Sequence, residues 1–226
     1  MGSMIKAEQK PFEEMMSTLA PYNKILIAGC GACVTVCHAG GEKEVALLAS
    51  TLRMVRKQIG KVIEVEEAVT PRQCEPEAAS QLSGSIEKAE AVLSLACGVG
   101  VQTLARHFLK TPILPGVNTL FLGDTLKHGV WEENCQACGN CLLDRTGGIC
   151  PVARCAKQLL NGPCGGSSKG KCEIQGEIDC VWQLIYDRLK GLGQLERLEE
   201  IIPAKGWGME SRDRGPRKLV REDLKA

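Results

Sequence analysis

The chain has 226 residues, of which 44% are hydrophobic, so it carries enough apolar material for a packed core. Its 28 Lys+Arg against 27 Asp+Glu leave a formal charge of +1, which excludes a large field that would draw it onto nucleic acid or an anionic lipid surface. No apolar run approaches the roughly 18 residues that cross a bilayer, and only 4% of residues are aromatic beside 13 cysteines, so the thiols are the feature to explain.

In chain order, residues 1–20 read as an N-terminal helix: Pro11 suits a first helical position, and Phe12, Met15, Met16 and Leu19 fall at helical spacing before Pro21 stops them. The leading Met-Gly-Ser-Met reads as a tag remnant ahead of a natural start at Met4. Residues 24–29 form a short apolar run that enters a glycine turn, as a buried parallel strand does. After Gly40-Gly41, the residues Val45, Leu48, Ala49, Leu52 and Val55 make the stripe of a crossover helix. A second unit follows, with residues 62–69 extended and Pro76 opening a helix that carries Ala78, Ala79, Leu82 and Ile86 on one face. A third pairs a strand at 91–96 with a helix marked by Val101, Leu104, Ala105, Phe108 and Leu109. Residues 118–122 close the series as a fourth strand. The alternation predicts an α/β domain over residues 21–130, built on an open, doubly wound parallel sheet of about four strands.

Residues 131–180 are rich in Cys, Gly, Asn and Pro and keep neither period, so this Cys-rich segment is expected to be stapled by metal. C-terminal helices are expected over 181–202, first on a stripe of Val181, Trp182, Ile185 and Leu189, then on Leu192, Leu195, Leu198 and Ile201. Residues 203–226 carry seven Lys/Arg and four Asp/Glu and read as an extended tail that orders on a partner, with Trp207 and Met209 as its anchors.

An odd number of cysteines cannot all pair, and the N-terminus lacks an apolar signal-peptide core, so reduced thiols in a cytoplasmic protein are expected. Clustered thiolates there suit soft metals and iron–sulfur clusters. Cys30 and Cys33 follow the first strand, Cys74 the second and Cys97 the third, all at carboxyl ends, which in an open parallel sheet share one ligand-binding edge. Cys37 is a fifth candidate, running into the crossover helix where N–H groups favour thiolates, so one of the five is surplus to a single cluster. The plainer alternative makes Cys74 and Cys97 ordinary buried residues. Gly29, Gly31, Gly98 and Gly100 are candidates for close backbone approach to the cofactor. Gly29 and Gly31 also begin a dinucleotide fingerprint, but Val34 stands where its third glycine belongs.

A second constellation is Cys135-x-x-Cys138-x-x-Cys141, then Cys150-Pro151, Cys155 and Cys164. The triple CxxCxxC with a Cys-Pro echoes the bacterial ferredoxin run, although a longer final gap leaves Cys150, Cys155 and Cys164 competing for the fourth place. Zinc held by four cysteines is the alternative at this second site. Two [4Fe–4S] clusters use eight thiols, and Cys172 and Cys180 fall outside both groups. His38, His107 and His128 have no partner at metal or catalytic spacing. No nucleophile elbow, P-loop or HExxH occurs, so no catalytic residue is expected.

The blocks Gly29-Cys30-Gly31-Ala32-Cys33, Cys97-Gly98-Val99-Gly100, Cys135 to Cys141 and Asn161-Gly162-Pro163-Cys164-Gly165-Gly166 together resemble the methylenetetrahydrofolate reductase C-terminal domain family. More narrowly they resemble the iron–sulfur (V-type) subunit of the acetogen methylenetetrahydrofolate reductase complex. The resemblance implies two [4Fe–4S] clusters in an electron-transfer subunit. It also implies a partner in a TIM-barrel subunit that holds FMN and reduces methylenetetrahydrofolate in the reductive acetyl-CoA pathway; a further redox protein such as ferredoxin is a second candidate partner. A zinc-binding, non-redox assembly subunit of the same reductase is the alternative.

Overall fold

The computed structural model describes residues 4–206 together with Lys218, Val220, Arg221 and Asp223. The proposed anchors Trp207 and Met209 and most of the expected tail lie outside the described residues. The chain divides after Glu132 into two units.

The first unit opens with a strand, β1 (Ile5–Gln9), where a helix was expected, because Ala7 alone is buried and its neighbours alternate outward. Helix α1 (Phe12–Thr18) follows Pro11 and buries Met15. Strand β2 (Lys24–Cys30) is buried from Ile25 onward. A short helix α2 (Cys33–Val36) precedes the crossover helix α3 (Glu42–Gln58), whose first turn is closed by a bond from the Gly41 N–H to the Glu44 carboxylate at 2.9 Å. Then come β3 (Glu64–Thr70), the short helices α4 (Pro76–Ser80) and α5 (Ser83–Ile86), β4 (Ala91–Ser94), α6 (Gly98–His107) and β5 (Ile113–Pro115). The helix expected after Pro76 is thus two separate turns. Leu109, expected on the face of α6, is exposed beyond its end.

Strands β2 to β5 make a parallel sheet in the order β3-β2-β4-β5. Alternation along β2 sends Ile25 and Ile27 into a core with Val45, Leu48 and Leu52 of α3, and Leu26 and Ala28 into a second core with Ala79, Leu82, Ile86 and Leu104. The sheet is therefore covered on both faces, as expected. Because β3 lies on one side of β2 and β4 on the other, the connections reverse direction between β2 and β4, and the crevice of a doubly wound sheet opens at their carboxyl ends.

The fourth parallel strand is β5, however, and residues 118–122 belong elsewhere. They lie in β6 (Val117–Lys127), which pairs antiparallel with β1 and sits between it and β7 (Val130–Cys135). The switch occurs at Gly116, whose N–H donates to Ser94 O at 2.8 Å and whose carbonyl accepts from Lys10 N–H at 3.0 Å. A Cβ there would stand 2.5 Å from Leu95 Cδ2, so a larger residue would make the Leu95 side chain shift.

The second unit has little regular structure: α7 (Pro151–Arg154), α8 (Val181–Leu192) and a 3-10 turn at Leu195–Leu198. Val181, Trp182, Ile185 and Leu189 are buried on α8 as expected, with Cys180, Cys155 and Ile149 against them. Gly193 ends α8 in the left-handed region at φ 67, and the second stripe does not pack: Leu192, Leu195, Leu198 and Ile201 are all exposed.

Gly40 fixes the crevice. Its carbonyl accepts from Cys30 N–H at 2.9 Å, and a Cβ would collide with the Leu95 carbonyl, a backbone atom that cannot turn aside. Gly40→Ala is expected to destabilise the chain by about 3 kcal/mol and lower its melting temperature by roughly 10 °C. Gly84→Ala, with open space around the added carbon, should leave the melt unchanged; both are read by calorimetry.

Candidate metal centres

Three βα loops bring thiols to the crevice. Cys30 ends β2, with its backbone held by Gly40 and its carbonyl accepting from Thr35 Oγ1 at 2.7 Å. Cys33 opens α2, Cys74 stands in the loop after β3, and Cys97 caps α6. Gln73 pins this edge together. Fully buried, it donates from Nε2 to the carbonyls of Ala28 at 2.8 Å and Gly29 at 2.9 Å, and accepts from Ser94 Oγ at 2.6 Å, so one side chain ties the ends of β2 and β4 to the loop that carries Cys74. No periodic or metal-ligand pattern marked this residue.

The electrostatics report the same convergence. Partial burial pushes the Cys74 thiol above its ordinary pKa, and Cys30 and Cys97 add to the rise as neighbouring like charges. The Arg72 guanidinium, held charged first by Glu75 at 2.8 Å, also feels Cys74 and Cys33. Four thiols from three loops thus share one neighbourhood. Cys37 does not join them: it ends α2 rather than opening α3, is buried in the core, and its thiol donates to Ile5 O at 3.1 Å.

The glycines divide likewise. A Cβ at Gly29 would meet Val45 at 2.7 Å and Val69 at 2.9 Å, and one at Gly100 would meet Ala96 at 2.7 Å, so helix packing on the sheet accounts for both. Gly31 and Gly98 have room for a side chain and flank the thiols. Gly98 N–H donates to Thr119 Oγ1 at 2.9 Å at the first turn of the ten-residue α6, which Cys97 caps. His38 lies edge-on to His128 at 5.6 Å between ring centres.

In the second unit, Cys135, Cys138 and Cys141 share one loop, which winds tightly because Ala137 and Gly139 adopt positive φ. Ala137 N–H donates to Cys135 Sγ at 3.3 Å. Buried Lys205 donates to Asn140 O inside this loop, and with Arg145 it lines a cleft of about 370 Å³ beside Cys141. Cys150 caps α7 after the turns of residues 142–149. Cys155 and Cys164 lie elsewhere, on a small cavity that they share with Cys172 and Cys180.

The Asn161-Gly162-Pro163-Cys164 block is structural in its first half. Asn161 donates to Ile202 O at 2.8 Å and accepts from its N–H at 2.7 Å, while Gly162 lies so close against the Trp182 indole that no side chain fits. Among the described residues, no group of three or more His, Cys, Asp or Glu already stands arranged to hold a single metal ion, and no helix is long and apolar enough to cross a membrane.

Residues 114–208 match the family model described as methylene-tetrahydrofolate reductase C terminal. The match spans less than half of the chain, running from β5 through the second unit, and so covers the CxxCxxC loop and the Asn-Gly-Pro-Cys block but not the crevice thiols Cys30, Cys33, Cys74 and Cys97. No curated protein and no solved structure matches the chain.

The convergence at the crevice has a direct chemical test. In the metal-free chain, alkylation of Cys74 should reach its midpoint above the pH of an ordinary thiol, because the reactive thiolate is the disfavoured form. Cys97→Ala, by removing a like charge, should move that midpoint down without restoring the ordinary value, since burial is the larger cause. An unmoved midpoint, read by mass spectrometry of the alkylated peptide, would separate the two thiols.

Proposed function

We propose that the chain is an iron–sulfur electron-transfer subunit of a methylenetetrahydrofolate reductase complex, resembling the V-type subunit of acetogens. It would hold one [4Fe–4S] cluster on Cys30, Cys33, Cys74 and Cys97 and a second on Cys135, Cys138, Cys141 and Cys150. The observation that carries this is the gathering of four cysteines from three βα loops at the crevice of a doubly wound sheet. The donor set fits the group: four thiolates, amides of the α6 N-terminus beside one of them, and Arg72 beside two others. At the second site Cys141 lines a cleft with Lys205 and Arg145, and Cys150, at the start of α7, would supply the fourth thiolate beside Cys135, Cys138 and Cys141.

Bound there, the clusters supply one-electron transfer. The chain's own residues do the rest. Gln73 and Gly40 hold the loops that carry the thiols, and Cys30, buried, faces the protein while Cys74, exposed, marks the side on which electrons enter or leave. With no catalytic motif of its own, such a chain acts on a flavin held by a partner, in this case the FMN-containing TIM-barrel reductase subunit, with ferredoxin as a candidate further redox partner and the reductive acetyl-CoA pathway as the setting.

Anaerobically purified protein should contain about eight iron and about eight sulfide per chain. Cys74→Ser should lose about half of the iron, and Cys37→Ser none. A colourless chain without iron would instead be the zinc-held assembly subunit and would overturn the redox assignment. Removing residues 207–226 spares Lys205 and its contact with Asn140. It should leave the iron content unchanged and abolish co-purification with the reductase subunit if the charged tail is the docking segment, and intact co-purification would sink that role.

A further inference from the structure

We propose that Cys155, Cys164, Cys172 and Cys180 form a third thiolate site, separate from the two above, that holds one structural zinc ion. These four cysteines stand nine, eight and eight residues apart, too widely for a CxxC pattern to reveal them, and the fold draws all four onto one cavity. Cys172 and Cys180 flank the antiparallel bridge between Lys171 and Asp179: Cys172 N–H donates to Ile178 O at 3.0 Å, and Cys180 N–H donates to Gly170 O at 2.8 Å. Alternation along that ribbon puts both on the same side of it. Cys155, at the end of α7, packs against the cluster that contains Cys180. Cys164 approaches from the loop after Pro163, where Gly166 N–H donates to its sulfur at 3.4 Å, the kind of amide bond that supports a ligating thiolate.

The cavity that the four cysteines line has about 20 Å³, space for one water-sized body, which suits a single ion. Among single ions, a set of four thiolates suits zinc in its structural, tetrahedral form. The charged lining is balanced, with Arg154 and Lys157 set against Glu173 and Asp179. Lys157 is held charged first by its hydrogen bond to Glu173 and then by Cys164 and Cys172.

Binding closes the site further. With Zn–S of about 2.3 Å the sulfurs come to stand about 3.8 Å apart, so Cys164 turns away from Glu173, to which it now donates at 3.5 Å, and each ligating thiol releases its proton to solvent. The return is folding energy for a stretch that has almost no regular structure between α7 and α8.

The test uses the full chain, purified anaerobically, with zinc, iron and sulfide measured together. Expected are about one zinc per chain, kept in Cys37→Ser and lost in Cys172→Ser and in Cys180→Ser, while iron and sulfide per chain stay at the wild-type level in both. Absence of zinc from the wild type, or zinc retained by both variants, overturns the proposal. So does loss of iron with Cys172→Ser, which would make the site a third cluster. Because loss of a staple can unfold the second unit, zinc-edge X-ray absorption on the unaltered protein gives an independent reading. A shell of four sulfurs supports the site, and a shell dominated by nitrogen or oxygen overturns it. Iron and sulfide report the redox assignment and zinc reports this one, so either can fail alone.

Discussion

Everything at the crevice depends on one buried amide. At the ends of β2 and β4, Gln73 donates to the carbonyls of Ala28, which also accepts from Leu95 N–H at 2.8 Å, and of Gly29, and it accepts from Ser94 Oγ. Leaving such buried groups unmet costs about 1–3 kcal/mol each, so the loop between β3 and α4 has one low-energy position. Cys74 is the next residue. Its place beside Cys30 and Cys97 is therefore imposed by the same bonds that finish the sheet, before any metal is considered.

The two units rest on different physics. The first has two apolar cores, one on each face of the parallel sheet, and α3 covers one of them through Val45, Leu48 and Leu52. Its fold is held by burial, and its thiols are additions at the rim. The second has one small core on α8, and much of the remainder is held by individual polar clamps: Asn161 on Ile202, Trp182 Nε1 donating to Leu159 O at 3.2 Å, and Arg188 donating to Gly147 O at 3.3 Å. Such bonds contribute about 1 kcal/mol net each, which is little against the entropy of ordering the long irregular segments between them.

Periodicity made the parallel sheet and its crossover helices legible, because strands buried on both faces are continuously apolar and α3 shows a clean stripe. It failed where packing broke the pattern. Arg56 is fully buried on α3 yet charged; it is tolerated because its guanidinium donates to Leu19 O at 2.6 Å. The antiparallel sheet was hidden because β1 contributes only Ala7 to the core, and because the strand at residues 118–122 looks like a fourth parallel strand until Gly116 diverts the chain. The edge position of the crevice thiols could be read from the sequence; that the Cys37 thiol donates to Ile5 O could not, since β1, which carries that carbonyl, leaves no periodic signal.

The CxxCxxC motif drew attention to short spacing, and short spacing is only the local half of thiolate geometry. Thiols carried by one loop, such as Cys135, Cys138 and Cys141, can converge only if they are close in sequence, because that single loop has to bring them together. Ligands carried by different elements obey no such limit. Cys30 and Cys97 are brought to one edge by strand order, and Cys172 and Cys180 to one side of a ribbon by a backbone bridge. Grouping cysteines by the element that delivers them, rather than by distance along the chain, divides the thirteen into four at the crevice, four around the CxxCxxC loop, four on the small cavity, and Cys37 in the core. Of the three groups of four, the last shares one cavity, which all four of its cysteines line.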